Sequence, residues 1–203
     1  MKATITSLIF LLLSLTVSSQ TYKYIGIEEG LSNQKIYKIQ KDARGYMWFL
    51  THVGIDQYNG KEIKHYKLRE GNRELDPLLN INWTFLDKTG TLLVTGKQGR
   101  IFRYDSGHDR FVQIYNMYNY WNKDYHAFVR YSYIDQEDNV WLCGKSAIHL
   151  FNIESGQKQQ ISNRLGNITC IEQINSEHFF IGTDKRIYLA KLENGNLKEL
   201  SCG

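Results

Sequence analysis

The segment Tyr115 to His126, YNMYNYWNKDYH, sets Tyr118, Tyr120, Trp121 and Tyr125 among asparagine, lysine and aspartate. Aromatic faces beside hydrogen-bonding side chains suit sugar rings, whose C–H patches lie on a π-system while the hydroxyls find polar partners. The same rings could instead cover a sheet edge or a subunit contact. Short segments elsewhere offer single polar or cationic groups: His52, Lys97 beside Gln98, Lys145 beside Ser146, and Asp184 beside Lys185. The histidines are dispersed, without the close spacing of a metal pair, and no CxxC occurs, so neither metal nor cofactor is expected. Glu28-Glu29, Glu137-Asp138 and Asp105/Asp109 read as solvated turn residues, and no catalytic pair is expected among them.

The elements that must position these groups repeat. DARGYMWFLTHVGIDQYNG from Asp42, DKTGTLLVTGKQGRIFRYDSG from Asp87, DQEDNVWLCGKSAIHLFNIESG from Asp135 and INSEHFFIGTDKRIYLAKLENG from Ile174 align with Trp48, Leu93, Trp141 and Phe180 in one column. The spacings of 45, 48 and 39 residues are about the length of one four-stranded propeller blade. Within each unit a mixed strand enters an Asp/Gly turn, and a strongly apolar strand follows. After a very short loop comes a strand ending in an aromatic residue and an Asn/Asp/Gly hairpin, then a more polar strand. The fold expected is all-β: a β-propeller of about four blades of four antiparallel strands, with units near 28–67, 78–115, 126–162 and 166–200. A sandwich would not repeat at this period, and helical repeats would need a 3.6 periodicity that the chain lacks after its start.

The run EEGLSNQKIYKIQKDARGYMWFLTHVGIDQYNGKEIKHY, Glu28 to Tyr66, closely resembles the two-component regulator propeller repeat. Gly30, Leu31, Ser32, Asn33, Asp42, Gly45, Trp48, Thr51, Gly54, Tyr58, Asn59 and Gly60 stand where that pattern wants them. Later units drift: Leu93 replaces the Trp, Asp138 the turn Gly, and Cys143 a following Gly. The resemblance extends more weakly over nearly all of residues 20–203. It implies the periplasmic sensor half of a hybrid two-component system, whose propellers bind oligosaccharides from glycans. This sequence holds no kinase and no second propeller, so it is expected to be a truncated sensor segment unable to signal alone. A stand-alone interaction module and, more remotely, a propeller polysaccharide lyase are the alternatives.

Lys2, the apolar run Ile5 to Val17 and the small residues Ser18 and Ser19 read as a signal peptide over 1–19, a signal helix cleaved near Ser19-Gln20, which implies a periplasmic protein. The apolar run is shorter than the roughly 20 residues that cross a bilayer, so no membrane span is expected in residues 20–203. Lys and Arg number 25 against 21 Asp and Glu, a net charge of +4 with no basic stripe, which argues against nucleic acid as a partner. Cys143 and Cys170 sit in strand-like runs and are expected to be small buried hydrophobes. Four units form either a small closed ring or an open arc, the arc being favoured. An arc leaves blade faces bare and prone to self-association, and Tyr22 to Ile27 is the strand that would fasten a ring. In this strand order the short loops and the inter-blade connections share one face, which makes His52, Lys97, Lys145, Tyr118, Tyr120, Trp121 and Tyr125 the candidate oligosaccharide contacts.

Overall fold

A computed structural model describes residues 22–120 and 128–200. The proposed signal peptide, Trp121, Tyr125 and Cys202 lie outside the described residues.

Four antiparallel sheets follow one another in chain order, each with its strands side by side in sequence order. The first is β1 (Ile36–Lys41), β2 (Met47–Thr51), β3 (Ile55–Tyr58) and β4 (Ile63–Tyr66). After a small hairpin, β5 (Arg69–Glu70) and β6 (Arg73–Glu74), and one helical turn, α1 (Pro77–Asn80), comes the second: β7 (Trp83–Leu86), β8 (Leu92–Thr95), β9 (Arg100–Asp105) and β10 (Arg110–Asn116). The third is β11 (Tyr131–Ile134), β12 (Asn139–Cys143), β13 (Ala147–Asn152) and β14 (Lys158–Ser162). The fourth is β15 (Ile168–Gln173), β16 (His178–Thr183), β17 (Ile187–Glu193) and β18 (Asn196–Glu199).

The aligned column turns out to be a packing position. Residues opposed across an antiparallel pair share a face, so Trp48 with Gln57 and Leu50 with Ile55 define one face of the first blade. That face packs on Leu92, Val94, Phe102 and Tyr104 of the second blade. Leu93 and Ile101 of the second blade meet Val140, Leu142 and Phe151 of the third. Trp141 and Ile148 of the third meet Phe179, Ile181 and Tyr188 of the fourth. Each blade thus presents the aligned position to the next. Ile55, Ile101 and Ile148 occupy equivalent places on their blades and are fully buried, whereas Ile187, their counterpart on the fourth, is 74% exposed. Phe180 beside it is 49% exposed. Among the described residues no apolar layer joins the fourth blade to the first, and the four blades form an open arc.

The turns at one end hold neighbouring blades in register. Ala43 donates its N–H to the Gly90 carbonyl at 3.2 Å, Lys88 to the Asp138 carboxylate at 3.0 Å, and Gln136 to the Gln173 side chain at 2.6 Å. Asp138 adopts φ +61°, matching +88° at Gly45 and +72° at Gly90. A short polar residue therefore tolerates the left-handed turn that glycine makes elsewhere.

Two expectations are corrected. Residues 22–25 carry no strand, and the segment lies beside the first blade, where Lys23 donates to the Tyr58 hydroxyl. Cys143 is buried as expected, but Cys170 is exposed, because it lies on the uncovered face of the fourth blade opposite Gly182. Neither is in a disulfide.

Candidate functional site

The short loops between the second and third strands of each blade share one end of the arc with the inter-blade connections, and backbone hydrogen bonds tie the two sets together. Gln98 donates to Leu79 at 3.2 Å, Val129 to Lys97 at 2.8 Å, Asn163 to Ser146 at 2.9 Å and Asp184 to Asn167 at 3.1 Å. Pairing loop backbone this way satisfies groups that would otherwise need water. It also leaves the side chains of the loop tips facing outward.

His52 is half-buried, and its Nδ1 lies 2.7 Å from the Tyr37 hydroxyl. Lys97 and Lys145 are exposed at the tips of their loops. Asp184 accepts from the Asn167 side chain at 2.8 Å. These groups stand on successive blades along one face and are not gathered into one cluster.

Tyr120 is 53% exposed and stacks on buried Tyr115, with ring centroids 5.6 Å apart and planes 4° apart. The Lys158 ammonium lies 4.1 Å from the Tyr120 centroid. Tyr118 instead packs on the apolar layer between blades two and three. The tyrosine segment is therefore divided: one ring serves the core, and one presents a face to solvent beside a cation.

The connection from the first blade to the second is the most elaborate. Asp76 caps α1 by accepting from Leu78 N–H at 2.9 Å, with Pro77 at the first helical position. The turn packs so tightly that a Cβ at Gly96 would run into the Asn80 backbone. Arg100, only 8% exposed, reaches the Asn80 side chain at 3.4 Å and Glu70 at 3.4 Å. Asn116 Nδ2 donates to Glu70 Oε1 at 3.4 Å. Glu70 and Arg100 are 30 residues apart and lie outside the repeating pattern, so no local signal pairs them.

Between these blades the rings of Trp48, Tyr66, Tyr104 and Phe111 form a cluster with centroids 4.7 to 5.7 Å apart. Asp109 closes it. Its Oδ1 accepts from the hydroxyls of Tyr66 at 2.6 Å and Tyr104 at 2.5 Å, and its Oδ2 from Lys64 at 3.1 Å. Those hydrogen bonds, Tyr104 first, pull the Asp109 carboxyl down to about 2, while burial and the same carboxylate push the Tyr66 hydroxyl up. Asp109 pays for this position with φ +50°.

Among the described residues no group of three or more His, Cys, Asp or Glu could hold a metal ion. No helix among them is long and apolar enough to cross a membrane.

An arc of successive four-stranded blades with loops and connections on a common end defines a β-propeller segment. Its residues 30–52 match the two component regulator propeller family. No curated protein matches the sequence. The fold is similar to the extracellular domain of the putative hybrid two component system BT3049 from B. thetaiotaomicron, with TM-score 0.66 and 17% identity over 89% of this chain and 26% of that one. It is similar also to the corresponding domain of BT4673 from the same organism, with TM-score 0.65 and 15% identity over 91% of this chain and 24% of that one. The dihydro-heme d1 dehydrogenase NirN shares the fold at TM-score 0.60 and 11% identity, over 84% of this chain and 37% of that one. The chain spans about a quarter of the length of the two extracellular domains.

Proposed function

We propose that this chain is a segment of an exported, non-enzymatic sensor propeller that recognises oligosaccharides on its loop face. The observation that carries the reading is the convergence of short loops and inter-blade connections on one end; beyond it, on the rim between blades two and three, Tyr120 offers a solvent-facing ring beside Lys158, which stands next to the β13–β14 hairpin. Such a ring can stack on a sugar face, and His52, Lys97, Lys145 and Asp184 offer hydrogen bonds along the loop end. The match of residues 30–52 to the regulator propeller repeat, and the shared fold with extracellular domains of hybrid systems, support the sensing class. Signalling across a membrane needs partners outside these 203 residues, and Trp121 and Tyr125 are proposed as further contacts. Titrating the protein with a panel of oligosaccharides tests the reading: it expects saturable binding, weakened by Tyr120→Ala, with the sugar recovered unchanged.

A second reading has its own observation. The bare face around Phe180 and Ile187 is of the kind that the other three blades cover, so this end of the arc is proposed as a surface for association.

A further inference from the structure

At each junction in the arc, one blade turns its aligned-column face to the next, which receives it on its opposite face. Both ends of the arc carry a face of this kind with no blade on it. On blade four, Phe180, Ile187 and Glu172 stand exposed on the aligned-column face. On blade one, the outer part of the receiving face is covered by the chain that leads into it, where the Ser32 N–H and hydroxyl donate to Asp56 Oδ2 at 2.8 and 2.9 Å. The inner strand is bare, with the alternate residues Tyr37, Ile39 and Lys41 of β1 exposed. Joining the two ends would take apolar side chains of both out of water.

Strand register says which residues would meet. In blade three Tyr133 opposes Trp141, and its hydroxyl hydrogen-bonds the backbone of Gln173, which opposes Phe179 in blade four. Glu172 opposes Phe180, the aligned residue of blade four, and so holds the place of Tyr133. Lys41 opposes Met47, which precedes Trp48 as Phe179 precedes Phe180, and so holds the place of Gln173. An acid and a base thus occupy two positions that touch in an observed junction. Both are exposed, and neither has an ion-pair partner among the described residues. By the same register Cys170 holds the place of Tyr131, and Ile39 that of Ile171, whose backbone hydrogen-bonds the Tyr131 hydroxyl.

We infer that two copies of this chain associate head to tail, blade four of each on blade one of the other, with Glu172 against Lys41, and close a single ring about a twofold axis. The inference rests on the reading of the bare blade-four face as a surface for association and names its partner. A head-to-tail contact makes a ring where its rotation closes and a filament where it does not. Two arcs of four blades each fall within the range of about four to eight blades over which propellers close.

Sedimentation of the full chain tests this. It should show the chain mass at high dilution and twice that mass, with nothing larger, at high concentration. Glu172→Lys and Lys41→Glu, both at exposed positions, should each weaken the dimer about tenfold or more, since each sets like charges together at both junctions. The double variant should regain most of that loss, with circular dichroism unchanged throughout. In an Ile39→Cys variant, a short bismaleimide should join the new thiol to Cys170 of another copy, seen by peptide mapping of mixed light and heavy chains. Association that falls with Glu172→Lys but ignores Lys41→Glu and the charge swap would overturn the head-to-tail ring while leaving the blade-four face as a surface for association, and so would assemblies that lengthen with concentration. A monomer throughout would overturn it and assign the face to a partner other than this chain. Association untouched by Ile187→Asp together with Phe180→Glu would overturn the reading of the face itself.

Discussion

Trp48 donates its indole N–H to Asp42 Oδ2 at 2.9 Å, and Trp141 does the same to Asp135 Oδ2 at 2.9 Å. The six-residue spacing of the motif is thus a physical link: the carboxylate that shapes the turn also satisfies the one polar atom of a fully buried indole. In blade two, where the column holds Leu93, Arg103 on the neighbouring strand takes the vacant oxygen of Asp87, with Nε at 2.8 Å. Asp87 is held below the usual carboxylate range by hydrogen bonds from Thr89, Thr91 and Arg103, which outweigh its burial. Trp48→Phe should cost about 1–3 kcal/mol, because it strands a buried acceptor. A lowered urea midpoint with an unchanged slope is the expected result.

The contrast between equivalent isoleucines gives a sharper test. Ile101→Ala should destabilise by about 2–5 kcal/mol, since it opens a cavity between blades two and three. Ile187→Ala, at the same place on the uncovered blade, should change stability by no more than about 0.5 kcal/mol. Ile187→Asp together with Phe180→Glu should lower any self-association seen by light scattering. Comparable losses at both isoleucines would show that blade four is covered.

His149 lies buried on the face of blade three that meets blade two, in the place Phe102 and Tyr188 take on their own blades. Burial lowers its pKa from 6.5 to about 4. With the folded value below the unfolded one, the unfolded chain binds the proton first. The stability present above pH 6.5 is therefore lost as pH falls from 6.5 towards 4. The loss is bounded at about 3 kcal/mol and is smaller where water screens the ring. His149→Phe should flatten this part of the pH–stability curve.

Thiol chemistry should separate the two described cysteines. Burial pushes the Cys143 thiol up, whereas Cys170 is open to solvent. Iodoacetamide followed by peptide mapping should find Cys170 modified in the native protein, and Cys143 modified only after unfolding.

The repeating part of this fold was legible because blade packing imposes a period. One aligned column located the face that each of the first three units turns to the next blade. What escaped was aperiodic. The β5–β6 hairpin and α1 fall between the units, and the Glu70–Arg100 pair forms only once the connection folds back. The shared end for loops and connections was readable from strand order. The fate of the individual tyrosines was not: Tyr118 and Tyr120 differ in which side of a short turn they take, and composition does not encode that. The Cys170 run looked buried because its blade resembles the others, and what differs is the missing neighbour.

The central claim is that the loop end of the arc and the adjoining Tyr120 ring recognise oligosaccharides, and a calorimetric titration of the full chain and its Tyr120→Ala variant against a glycan-derived oligosaccharide panel tests it most directly. The account predicts saturable binding of at least one oligosaccharide by the parent chain, a clear loss of affinity in the variant with its thermal transition unchanged, and no cleavage of the sugar. Absence of saturable binding up to millimolar sugar, or affinity indifferent to Tyr120→Ala and to loss of His52, Lys97 and Lys145, would contradict it.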